Sequence, residues 1–202
     1  MSDEVEIIYC FPCAVYIAQR PKYLDTVRQI SGEILANNTD QLCQMTGDFS
    51  QDPRVADFAR YVAETSMEVL AGQGYDMRGS SVYFSEMWTQ EHHRNSLMER
   101  HVHGNGAQLS GFYFIDTPEG CSKALYHDPR AGKVQISLPE VNPAEVTPAS
   151  NMVGFEAKPG TLIIANSWLP HSFSRHLADS PIRFVHFNIG IEYSSAQLPE
   201  VI

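Results

Sequence analysis

The sequence predicts a mainly β fold, a sandwich or barrel with helices packed on its outside, and three observations predict it. Downstream of Arg78 come short β-rich runs: "SVYFSEMW", "LSGFYFI", "KALYHD", "KVQISLP", "MVGFEA", "TLIIANSW" and "IRFVHFNIGIEY". Gly, Pro, Asn and Asp separate them, so each run ends in turn chemistry. No helical pattern is interleaved, which argues against the alternating strand–helix order of a parallel α/β sheet.

The amino-terminal part reads differently. Residues 5–17 are apolar and β-branched, a strand broken at Pro12. After Pro21, the positions Leu24, Val27, Ile30, Ile34 and Leu35 recur at helical spacing, and the helix ends at Asn37 and Asn38. A polar loop runs to Asp52, which with Pro53 forms an N-cap followed by proline at the first helical position. Val55, Phe58, Ala59, Val62, Met67, Val69 and Leu70 then hold one broad face until Gly72 and Gly74 stop the second helix. With no repeat and no clear linker, the chain 1–202 reads as a single domain. Residues 1–78 form a supporting strand and helices, and 79–195 the β core.

Composition limits the function classes. A chain of 202 residues, 43% hydrophobic and 19% charged, builds an ordinary globular core. A net charge of −10, spread along the sequence, argues against broad binding to nucleic acid or anionic membrane. No apolar run is long enough to span a bilayer, and "MSDEVEIIYC" lacks the basic start and apolar centre of a signal peptide. A cytoplasmic location is expected. Four scattered cysteines do not make a disulfide framework. Cys10 and Cys13 have redox or zinc spacing, but no helix-opening context and no second pair accompany them, so they are expected to be packing residues.

Histidine carries the chemistry. His101 and His103 precede "LSGFYFI", and His171 follows "TLIIAN" in "ANSWLPHSF". In a strand, residues two apart share a face, so His101 and His103 can serve one metal ion, and His171 from a second strand can complete an open site. Taken alone, these features also fit a chance pairing on a solvated loop with a capping His171. His92, His93 and His176 fall in expected loops or turns, while His127 and His186 read as hydrogen-bonded structural residues.

The order of the carboxy-terminal half goes further. "HVH", "LSGFYFIDTPEG", "KALYHDPR", "FEAKPGTLIIANSWLPHSF" and "IRFVHFNIGI" follow one another over residues 101–191, within a stretch of likeness that covers about residues 82–191. This series resembles the Fe(II)- and 2-oxoglutarate-dependent oxygenases, in particular a bacterial and phage branch with a His-x-His pair. The resemblance implies a double-stranded β-helix, jelly-roll or cupin-like, with Fe(II) and 2-oxoglutarate as cofactors and dioxygen as co-reactant. It also implies His101, His103 and His171 as metal ligands. Arg183, twelve positions after His171, would hold the far carboxylate of 2-oxoglutarate, with Val185, Phe187 and Ile189 walling the same pocket. Ser110 or Tyr113 would add a hydroxyl; the two alternate on their strand, so only one can face it.

One departure from the family pattern is visible. Most of the superfamily has a carboxylate where this chain has His103, and Asp128 of "HDPR" is an alternative third ligand. Three-histidine sites also occur in cupin-type dioxygenases and isomerases that use no 2-oxo acid. A hydroxylase of a small molecule or peptide is the leading expectation, a catalytically silent metal-binding module a further one. An exposed edge strand before residue 20 would suit a homodimer.

Overall fold

The computed structural model describes residues 6–36, 43–136 and 138–193. Its strands are β1 (Val15–Gln19), β2 (Cys43–Met45), β3 (Ser80–His92), β4 (Met98–His101), β5 (Ala107–Asp116), β6 (Ala124–His127), β7 (Met152–Phe155), β8 (Thr161–Asn166), β9 (His171–Phe173) and β10 (Ile182–Tyr193). Two helices, α1 (Leu24–Leu35) and α2 (Ala56–Gly72), precede β3.

The strands form a six-stranded sheet in the order β1-β8-β5-β10-β3-β2 and a four-stranded sheet in the order β4-β9-β6-β7. Their pairings are antiparallel. Because side chains alternate faces along a strand, each face of the large sheet serves a different core. One face contributes Met87, Leu109, Tyr113, Ile115, Leu162, Ile164, Val185, Phe187 and Ile189 to a cluster with Val27 and Ile30 of α1 and Phe58, Val62 and Val69 of α2. The other contributes Phe112, Phe114, Ile163, Ala165, Ile182 and Phe184 to a cluster with Ala124, Tyr126 and Phe173 of the small sheet. The result is three layers, helices on one sheet and that sheet on the other, the double-stranded β-helix that the resemblance implied.

Several expected elements differ. Residues 6–14 form no strand: Phe11 has φ +56°, and Pro12 has no N–H for a ladder, so pairing with β8 starts only at Val15. Cys10 and Cys13 are exposed rather than packed. The expected end of α1 at Asn37 and Asn38 lies outside the described residues. Cys43–Met45, read as loop, adds an edge strand to β3. "KVQISLP" supplies a 3-10 turn at Lys133–Gln135 instead of a strand, and its Ser137 lies outside the described residues. Asp52 does cap the α2 approach, its carboxylate accepting from Arg54 N at 2.9 Å with Pro53 next in line.

Local chemistry then sets the rim. After His103 the chain reverses through Gly104–Ala107, with Asn105 at φ +54°, Gly106 at φ +83° and Ala107 N donating to Gly104 O at 3.1 Å. Positive φ at both central residues is the tight hairpin pattern that Asn-Gly favours. This turn feeds β5 directly from the His-x-His segment.

Candidate metal centre

His101 and His171 are register partners across the β4–β9 pair, so the fold itself sets their rings side by side, 4.5 Å apart. His103 lies just past β4, its backbone N–H donating to Ser167 O at 2.9 Å, which ties it to the loop before β9. The three imidazoles place one nitrogen each within 4.8 Å of one another.

Their tautomers are set by the backbone. A carbonyl can only accept, so His171 Nδ1, 3.1 Å from Leu169 O, and His101 Nδ1, 2.8 Å from Glu99 O, must carry the protons. Each Nε2 is then left with a lone pair turned away from its carbonyl. His171 Nε2 stands 3.2 Å from His103 Nε2. Two imidazole nitrogens bound at about 2.1 Å to one ion, at right angles, stand about 3 Å apart, so this spacing fits a shared divalent metal. Burial pushes the His103 imidazole down to about 4 and that of His171 to about 3, which keeps both neutral as a metal requires. Asp128 is not part of this group. Its carboxylate accepts from Arg130 Nε and Nη2 at 2.9 and 2.7 Å, closing the "DPR" turn.

The other expected ligand-holding residues divide between the two faces of the large sheet. Ser110 lies on the inter-sheet face with Phe112, between Ala165 and Asn188. Tyr113 points the other way, into the helices, packing on Phe58 at 4.8 Å and donating its hydroxyl to Arg20 O at 2.8 Å. Arg183 is also on the helix side. It pairs with Glu91 through Nε at 2.8 Å and through Nη2, and with Asp116 at 3.5 Å, while Asp116 in turn meets Arg28 of α1 at 3.1 Å. Val185, Phe187 and Ile189 belong to the helix-side core and wall no pocket at the histidines. The faces of β10 are exchanged relative to the expectation, because an apolar strand buried on both faces shows no alternation, and a shift of one residue exchanges the faces.

Arg183 is thus engaged by two carboxylates on the helix side. Arg183→Met is expected to lower stability by about 1.5–3 kcal/mol, the worth of hydrogen bonds to a buried charge, while leaving metal and 2-oxoglutarate affinity unchanged; chemical denaturation and ligand titration read the two effects separately.

On the inter-sheet face, residues that were not expected at the site surround the histidines. Phe112 lies 5.5 Å from His171, Tyr126 5.8 Å from His171, and His186 4.8 Å from His103 (ring centroids). His92, expected in a loop, ends β3 and is buried against Phe184 and Phe173. Burial, with His176 and His93 adding to it, lowers His92 to about 4. An unfolded histidine takes its proton near pH 6.5, so between that value and about 4 the unfolded state binds more protons. The metal-free protein should lose stability as pH falls through this window, each such histidine contributing up to about 1.4 kcal/mol per pH unit. Denaturation midpoints measured between neutral and acid pH check it.

Comparison with known proteins places this geometry. The family model described as "Putative 2OG-Fe(II) oxygenase" matches residues 86–188, about half of the chain, from β3 into β10. The chain belongs to this oxygenase family. Fe(II) and 2-oxoglutarate are the family's cofactors, and the three histidines give the metal a fitting donor set. No curated protein matches the sequence of this oxygenase. Among solved structures it is similar to HygX from Streptomyces hygroscopicus, with nickel and 2-oxoglutarate bound, at 13% identity, covering 88% of this chain and 83% of that one, with a TM-score of 0.57. It is similar to a Pseudomonas putida prolyl-4-hydroxylase at 11% identity, 87% and 92% coverage and TM-score 0.57. A 2OG-Fe(II) family oxidoreductase from Burkholderia pseudomallei gives 9% identity, 87% and 84% coverage and the same TM-score. At such identities the likeness establishes the oxygenase's fold. No helix among its described residues is long and apolar enough to cross a membrane.

Proposed function

We propose that this oxygenase is a hydroxylase whose iron is held by His101, His103 and His171. The observation that carries the reading is the convergence of three imidazole nitrogens within 4.8 Å, two of them with the opposite ring nitrogen fixed on a backbone carbonyl. Iron bound there with 2-oxoglutarate supplies the oxidising power to insert an oxygen atom from dioxygen into a substrate C–H bond. The chain's own residues position and shield. Leu169 O and Glu99 O aim two ligand rings, while Phe112 and Tyr126 pack against His171 and exclude water from the inter-sheet side.

A cavity of about 520 Å³ lies beside this centre, between the 9–13 segment, β6, β7 and the stretch 146–151. It shares Tyr126 and Leu169 with the metal centre's surroundings, and Phe11, Pro12, Val15 and Phe155 give it apolar walls. Arg130, its one cation, is already bound by Asp128. This supports an uncharged, largely apolar group as the part of the substrate received here.

Two measurements test the reading. Metal-free protein should bind one Fe(II), and anaerobic 2-oxoglutarate should then produce the visible metal-to-ligand charge-transfer band of the chelate. On admitting dioxygen, 2-oxoglutarate should be converted to succinate. Iron binding without either signal would instead favour the cupin-type alternative.

A further inference from the structure

The inter-sheet face of β10 carries a histidine with no protein partner. His186 is 1% exposed, and neither ring nitrogen makes a hydrogen bond. Its ring lies 4.3 Å from Trp88, 4.6 Å from Phe112 and 4.8 Å from His103. A neutral imidazole has one N–H and one lone pair, and leaving such a group unpaired in an interior costs about 1–3 kcal/mol. His176, equally buried, shows the satisfied case: its Nδ1 accepts from Ser122 N and its Nε2 donates to Ser180 O.

His186 is not alone. Asn188, two residues further along the same face, has an unpaired Oδ1, and Ser110 stands opposite it on β5. These polar groups share the inter-sheet face of the large sheet, on the side that adjoins His103. No buried cation accompanies them there. All 14 lysines and arginines lie among the described residues, and none is buried. Arg28 and Arg183, half-buried, are engaged on the helix side, and Lys133 is held by Ala149 O and Asn151 in a surface loop. An anion bound between the sheets beside the metal thus meets neutral donors only.

We propose that His186, assisted by the side-chain amide of Asn188, binds the metal-proximal carboxylate of 2-oxoglutarate, donating its ring N–H to a carboxylate oxygen. The assignment rests on the three-histidine, 2-oxoglutarate reading of the site given above. A hydrogen bond to an ionised acceptor is about twice as strong as a neutral one, so one imidazole N–H is a substantial anchor at so buried a position. The Asn188 amide contributes once turned to present its NH2, since its oxygen and nitrogen exchange places on a half-turn. The position also accounts for one of the two unpaired ring nitrogens, since the ligand pairs the one that carries the proton.

The test is anaerobic titration of 2-oxoglutarate into Fe(II)-loaded wild type, H186F and H186Q, read by the charge-transfer band. Phenylalanine suits the aromatic surroundings and leaves no nitrogen unpaired, so metal-free H186F should melt at or above the wild-type temperature and still bind one Fe(II). Its 2-oxoglutarate affinity should fall by about tenfold or more, the worth of a hydrogen bond to a charged group, with part of the loss recovered in H186Q. Unchanged affinity in iron-loaded H186F would overturn the proposal and leave the metal reading standing. Should H186F fail to fold, H186Q against H186A decides: a higher affinity with glutamine supports the proposal, and equal wild-type affinity in both overturns it. A wild type that binds iron and gives no band refutes the 2-oxoglutarate reading itself, a failure distinct from that of His186, and the proposal falls with it.

Discussion

Replacing His171 by alanine is expected to weaken Fe(II) binding by more than about 100-fold, beyond the loss seen when only an outer partner of a metal ligand is removed. Of the three histidines it is the most enclosed: it is buried at the start of β9, its Nδ1 held by Leu169 O, its ring between His101, His103, Phe112 and Tyr126. The other two histidines are only half-buried and can be partly replaced by water. Equilibrium dialysis of the metal-free variant gives the number. The metal-free fold should persist, because His101 and His103 sit on a rim that the backbone holds through Ser167 and the Gly104–Ala107 turn.

Phe112→Ala is expected to cost about 3–5 kcal/mol, the usual range for emptying a buried aromatic site. Phe112 is 1% exposed and meets Phe173 at 5.1 Å, Phe184 at 5.6 Å, His171 at 5.5 Å and His186 at 4.6 Å, so it joins the inter-sheet core to the metal centre. For a chain of this size each kcal/mol corresponds to roughly 2–4 °C, so a clear drop in melting temperature should appear. Metal affinity should fall as well, since the cavity frees the His171 ring to rotate. A loss in stability with wild-type metal affinity would show that the His171 ring is oriented by its hydrogen bond to Leu169 O alone.

What could be read in the sequence, and what could not, follows from how each residue announces its face. α1 and α2 were legible because one side of each is wet: Val27 and Ile30, or Phe58 and Val62, stand out against polar neighbours. The His101-x-His103 pair and His171 were legible because polar residues beside β-rich runs are conspicuous and their order matches a known series. β10 gave no such signal. It packs on helices with one face and on the small sheet with the other, so Arg183, Phe184, Val185, His186 and Phe187 read as one run with two equally good phases. Choosing the phase that put Arg183 inward also sent Val185 and Phe187 to the wrong side and hid His186.

The same cause explains Tyr113. On β5, Leu109 to Ile115 is apolar on both faces, and the hydroxyl that was expected to meet a carboxylate instead meets Arg20 O beneath α2. The end of β3 failed for a different reason. "TQEHH" is polar, yet Thr89 is buried by a 2.7 Å hydrogen bond to Ser31 of α1 and Glu91 by Arg183, so partners far away in sequence turn a loop-like composition into a strand. Long-range pairing of this kind leaves no local pattern. Asp48, whose carboxylate accepts from Met87 N, and Thr46, whose hydroxyl accepts from Thr89 N, extend the same edge from an equally polar stretch.

The most direct test of the account is X-ray absorption spectroscopy of the protein loaded with one equivalent of Fe(II) under anaerobic conditions. Three imidazole nitrogens at about 2.0–2.2 Å, with the outer-shell scattering of their rings and one fewer ring in His103→Ala, is the result expected of His101, His103 and His171. A first shell with two imidazoles and a carboxylate, or one unchanged by that substitution, would contradict the three-histidine centre.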